Sequence, residues 1–219
     1  MSAHANPNII TDGLVIALDA ADRKSYPGTG TTWKDRSGNE IHGTFEGDPT
    51  FDEDYGGSLV FDGSGDYIDF GNQSLIQTDF CISIWLQMTD SNDRYFFSAG
   101  YNNTNSILFY TQGIWLNSYQ TDGKLPGNPD STLNTIRNFT VTRTGSTASF
   151  YQNGVFKFSL SYSGNIATSV PYTLGWAVPR NKSTAYFKGN CYAFHMYDKG
   201  LTAEEVLQNY NATKDRFGL

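Results

Sequence analysis

The feature that most constrains this chain is strict alternation in steps of two. From Phe80 to Met88, the apolar Phe80, Ile82, Ile84, Leu86 and Met88 fall on one side and Cys81, Ser83, Trp85 and Gln87 on the other. That period places successive side chains on opposite faces of a strand and excludes a helix. The pattern recurs at Leu14 to Asp19, Ser58 to Phe61, Tyr67 to Phe70, Arg94 to Ala99, Ser106 to Tyr110 and Ile114 to Tyr119. It continues at Asn138 to Arg143, Thr147 to Gln152, Val155 to Leu160, Tyr172 to Trp176 and Ala185 to Tyr197. Many short strands separated by Gly, Asn and Asp predict an antiparallel all-β sandwich or barrel.

One hairpin can be registered from the sequence. Asn153-Gly154 suits a type I′ turn, whose two central residues need positive φ. Gln152 then faces Val155, Tyr151 faces Phe156 and Ser149 faces Phe158, so that Tyr151, Phe156, Phe158 and Leu160 share a core face. A single short helix is expected near the end, where Thr202-Ala203-Glu204-Glu205 reads as a capping box. Leu201 and Val206 form its hydrophobic staple. No linker or repeat divides the 219 residues, so the organisation expected is an arm over residues 1–12 and one domain over 13–219.

Composition narrows the function. A net charge of −7, with 15 Lys and Arg scattered singly, argues against nucleic acid as partner. No apolar run reaches the ~20 residues that span a bilayer. Residues 1–7 lack the charged and apolar regions of a secretory signal, so synthesis in the cytoplasm is expected. Cys81 and Cys191 are then expected as buried free thiols, with one long-range disulfide as the alternative.

Four blocks, read together, resemble the concanavalin A-like lectin/glucanase superfamily in its laminin-G-like jelly-roll branch. They are Ser58 to Ile68 with its Asp-Gly turn, the Trp-bearing strand Phe80 to Leu86, the pair Phe139–Arg143 and Ser149–Gly154, and Phe187–Asp198 closed by Leu201–Val206. The fold implied is an all-β antiparallel jelly-roll β-sandwich with one short C-terminal helix. The opening block resembles the start of such domains in tailed-phage virion proteins. It comprises Gly13–Val15, Leu18–Ala21, Ser25–Gly28, Thr32–Trp33, Asp35, Ser37–Asn39 and His42–Gly43. That resemblance implies a non-enzymatic capsid decoration protein on the virion surface, with the major capsid protein or other virion proteins, or a second copy in a homo-oligomer, as partners. A tail-fibre or adhesin module binding host-surface glycans is the alternative, and a glycan-active enzyme a remote one.

The chemistry that would make an enzyme is missing from the sequence. Retaining glycanases need a nucleophile and an acid about 5 Å apart. The five glutamates, Glu40, Glu46, Glu53, Glu204 and Glu205, form no such strand motif, and no nucleophile elbow accompanies His4, His42 or His195. Asp62 to Asp66 could offer calcium two carboxylates, but Asp side chains in such turns more commonly bond the local backbone. In related domains the final strand reads Ile-Asp-Glu-Val-Arg-Ile-Tyr, whereas Tyr192 and Ala193 stand here at the acidic positions. No cofactor or metal is therefore expected. Sugar binding is assigned to Tyr101, Asn103, Trp115, Asn117 and Tyr119, with Trp176 arriving later, since aromatic faces stack on sugars and amides bind hydroxyls. The competing use of such aromatics is to fill the core. Ile9 and Ile10 are the expected partner-binding residues of the arm, the other reading being an extension packed on its own domain.

Overall fold

A computed structural model describes residues 7–92, 94–100, 106–110, 113–116, 132–162, 164–177 and 186–219, with side chains at all of these but 110 and 113–115. The strands are β1 (Leu14–Asp19), β2 (Thr32–Trp33), β3 (Gly43–Glu46), β4 (Thr50–Asp52), β5 (Ser58–Asp62), β6 (Tyr67–Gln73), β7 (Phe80–Met88) and β8 (Tyr95–Ala99). They continue with β9 (Ile107–Tyr110), β10 (Gly113–Leu116), β11 (Ile136–Thr144), β12 (Thr147–Gln152), β13 (Val155–Ser161), β14 (Val170–Leu174) and β15 (Lys188–Tyr197). Helix α1 (Ala203–Thr213) runs into a 3₁₀ turn at Lys214–Phe217. An eight-stranded sheet has the order β13-β12-β11-β7-β15-β5-β4, with β1 also pairing β15, and a seven-stranded sheet the order β10-β9-β8-β14-β6-β3-β2. The chain crosses between sheets repeatedly, as a jelly-roll sandwich does. The strands β2, β3 and β4 escape the sequence reading because two to four residues, set among Gly and Pro, hold too little alternation to register.

The alternation in β7 becomes the core directly. Phe80, Ile82, Ile84, Leu86 and Met88 all point between the sheets, while Cys81 and Trp85 point outward beneath the C-terminal segment. Burying each such side chain stabilises the fold by ~1.5–3 kcal/mol. Stacked rings then cross the interior from one sheet to the other: Phe96 lies 6.1 Å from Phe139, Phe139 6.1 Å from Phe150, and Phe150 5.0 Å from Phe158.

The β12–β13 hairpin corrects part of the expectation. Asn153 and Gly154 take φ of 53° and 72°, as a type I′ turn requires, and Gln152–Val155 and Tyr151–Phe156 pair as read. A bulge at Phe150/Tyr151 then shifts the register, so Phe158 faces Phe150 rather than Ser149. Phe158 and Leu160 consequently pack on the interior, whereas Phe156 turns outward against Tyr151 and stays 51% exposed. A bulge adds one unpaired residue and so reverses the face of everything beyond it.

The outer face of the eight-stranded sheet is covered by α1 and the 3₁₀ turn. Thr202 and Glu205 form the capping box. Trp85 stacks on Tyr210 at 5.5 Å, meets Phe217 at 4.4 Å, and donates from Nε1 to Thr213 Oγ1 at 2.9 Å. Residues 7–12 lie along the same face. Ile10 N–H donates to Asn209 Oδ1 (2.8 Å), Tyr197 Oη donates to Ile10 O (3.0 Å), and the Ile10 side chain packs beside Tyr197 and Val206. This described part of the arm follows the second reading, an extension packed on its own domain. Ile9 is half-buried beside it.

Both cysteines are free and buried. Cys81 pairs in register with Tyr197, and Cys191 with Leu86, five residues further along β7 and on the opposite face. Since a disulfide needs Cα atoms within ~7 Å, the pairing alternative is excluded.

Candidate functional site

The outer face of the seven-stranded sheet carries an aromatic surface. In β6, Ile68 and Phe70 point into the core, so Tyr67 and Asp69 point outward. Strand β14 ends at Leu174, and Gly175 then turns at φ +92°, where a Cβ would meet the Phe61 ring at 2.9 Å. Only glycine fits that approach. The turn carries Trp176 over Tyr67, with ring centroids 5.2 Å apart, and Thr173 Oγ1 donates to Trp176 O at 2.7 Å to hold it. Tyr186 bridges to Tyr95, and the next residue, Phe187, donates N–H to Gly175 O at 2.7 Å. Tyr186 thereby stacks on Trp176 at 5.7 Å and 13° and lies 6.3 Å from Tyr67.

The three rings are half-buried and lie within 44° of one another, packed ring against ring in an offset, partly exposed platform. Glu46 stands opposite Tyr67 in the β3–β6 register, and Asp69 opposite Thr44 on the same face. Burial pushes the Tyr67 phenol up, and the carboxylates of Glu46 and Asp69 push it further. Trp176 Nε1 is buried and meets no acceptor among the described residues. The platform thus offers aromatic surface and two carboxylate acceptors, a set that can receive the apolar face and the hydroxyls of a sugar ring.

The sequence-assigned sugar residues lie elsewhere or outside the described part. Tyr101, Asn103, Asn117 and Tyr119 are outside the described residues, and Trp115 is described in backbone only, paired with Leu108 on the same sheet. Trp176 is the one residue named from sequence that joins the platform. Tyr67 and Tyr186 were missed, although the parity of Tyr67 and Asp69 against Ile68 and Phe70 carried the signal for the first.

Other candidate chemistry is structural. Asp66 accepts N–H from Asp48 (3.0 Å) on one oxygen and from Asp62 (2.9 Å) on the other, while Asp62 accepts from Ser64 N (2.6 Å). These carboxylates therefore hold the turn. Among the described residues no three His, Cys, Asp or Glu side chains gather as metal ligands, and no helix is long and apolar enough to cross a membrane. In the opening block, Asp35 accepts N–H from Ala17 (2.8 Å) and Ser37 (2.9 Å), and its own N–H donates to His42 Nδ1 (3.1 Å). Asn39 Nδ2 donates to Leu14 O and Val15 O. This clasp fastens residues 34–42 to β1. His195 is buried on the outer face of β15, and desolvation holds its pKa below the usual value.

A family profile described as the concanavalin A-like lectin/glucanases superfamily matches residues 62–207. No curated protein matches the chain in sequence. Among solved structures, domain 4 of an extracellular arabinanase from Geobacillus stearothermophilus, in complex with arabinotriose, aligns with a TM-score of 0.69 at 18% identity, over 90% of this chain and 98% of its own. The binding domain of botulinum neurotoxin DC in complex with SialylT aligns at 0.68 and 16% identity, over 93% of this chain and 52% of its own. A Trypanosoma rangeli sialidase with the inhibitor DANA aligns at 0.64 and 11% identity, over 95% and 35%. At these identities the likeness is one of fold. The chain spans nearly all of the arabinanase domain but only about half of the neurotoxin domain.

Proposed function

The chain belongs to the concanavalin A-like lectin/glucanases superfamily, and from that premise we propose that it is a non-enzymatic β-sandwich that binds glycans on the outer face of its seven-stranded sheet. The observation that carries this reading is the platform of Tyr67, Trp176 and Tyr186, half-exposed, mutually packed and rimmed by Glu46 and Asp69. The arabinanase domain solved with arabinotriose and the neurotoxin domain solved with SialylT support it as fold relatives found with sugars. Against hydrolysis stands the sequence, whose five glutamates form no strand motif that would set a nucleophile and an acid about 5 Å apart. Titration of neutral oligosaccharides should therefore show binding without release of reducing ends. Trp176→Ala should weaken that binding about tenfold or more, as loss of a central aromatic anchor does. A folded Trp176→Ala variant that binds undiminished would sink the reading.

The setting of this binding is proposed separately. The resemblance of residues 13–43 to phage virion domains favours a particle surface, as a capsid decoration protein first and a tail-fibre adhesin second. Quantitative mass spectrometry of purified particles tests it, with hundreds of copies expected for decoration and a few to some tens for a fibre. Absence from particles rejects both.

A further inference from the structure

We propose that the platform selects sugars by charge, taking neutral pyranosides, preferring those with a free amine, and rejecting uronic and sialic acids. The inference rests on the platform being the binding surface. Among the described residues, the charged groups that act on the Tyr67 ring are the carboxylates of Glu46 and Asp69. Glu46 is its cross-strand partner, and Asp69 follows two residues later on the same face. Among the described residues neither joins an ion pair, and one Asp69 oxygen only accepts N–H from Gly71 at 2.8 Å.

Among the described residues, Arg94 pairs with Asp90 at 2.8 Å, and Lys188 lies on the eight-stranded sheet across the Gly63 turn, opposite Asp62 in register. Beyond Tyr67, the turns at that end of the sandwich add Asp48, Asp62 and the buried Asp66, so acidic groups predominate there among the described residues. A sugar carboxylate set on these rings would face two unpaired negative charges. An ammonium would meet the same charges with the opposite sign and the negative faces of three rings as well.

The test compares three probes by calorimetry or NMR titration below the amine's pKa: a glucosamine tetramer, its N-acetylated counterpart, and sialyllactose, each at low and high salt. The expected order at low salt is amine, then acetylated, then acid, with about fivefold between steps, narrowing as salt screens the rim. Glu46→Gln combined with Asp69→Asn should flatten the order while leaving the acetylated oligomer bound, since Asn keeps the acceptor for Gly71. Trp176→Ala should weaken all three. Absence of the order in the natural protein, or its survival in the double variant, overturns charge selection; if Trp176→Ala still removes binding, the platform reading survives that result. Failure of all three probes to bind, or binding indifferent to Trp176→Ala, overturns the platform as well.

Discussion

His195 shows what a single side chain can and cannot say in a sequence. It sits fully inside the cover of β15, with Asp19 and Arg216 as the charged groups acting on it. Burial depresses its pKa, Asp19 opposes that, and Arg216 adds to it. The folded value is below the unfolded one near 6.5, so the unfolded chain takes up the proton first as pH falls. Stability is therefore full above ~6.5 and declines as pH drops toward the folded value. Urea midpoints from about pH 7.5 down to about 5.5 should fall in the natural protein, and His195→Met should lose that slope. An unchanged slope would assign it to other groups. Asp62 and Asp66 teach the reverse: their turn role was legible from type and spacing alone, because a short carboxylate two to four residues from free amides bonds them locally. Tyr186 was not legible, since its place depends on a bridge to Tyr95 from far along the chain.

At the scale of the element, legibility follows how far local chemistry decides. Strand β7 was readable because five interior positions repeat without interruption, and α1 because its cap is written in four consecutive residues. Thr202→Ala should cost about 1 kcal/mol by removing the acceptor for Glu205 N–H, measurable as a lower urea midpoint. The β13 register failed for a physical reason: the bulge at Phe150/Tyr151 leaves the alternation of Phe156, Phe158 and Leu160 intact while swapping the face it addresses. Substitution should expose the difference. Phe158→Ala, packed against Phe150, should destabilise by about 2 kcal/mol or more, while exposed Phe156→Ser should fall within about 1 kcal/mol of neutral. Equal costs would restore the single-face reading.

Across the whole molecule, the second layer on the eight-stranded sheet matters as much as the sandwich interior. Phe217 closes over Trp85 and Tyr192, with centroids at 4.4 and 5.1 Å, and Arg216 ties that turn to Asp19 at 2.6 Å. Phe217→Ala should cost about 3 kcal/mol and red-shift tryptophan emission as Trp85 meets water; neither change would mean that the cover is dispensable. The sandwich was readable from the strand pattern and the four sequence blocks. The platform was not, because residues 67, 176 and 186 become neighbours only through the Gly175 turn and the pairing of β14 with β6.

The packing of residues 7–12 against α1 has a practical corollary. Gln208 reaches back to Asn8 O, and Lys199 joins Asp12 to Glu205, so both described ends of the chain leave from one side, behind the eight-stranded sheet. The three rings look out from the other side. A tether at either end would orient the protein like a stamp held by its handle, with the printing face toward whatever it meets. Sensor surfaces coated through either terminus should therefore keep full glycan capacity, whereas coupling through Glu46, opposite Tyr67 in register, should lose it.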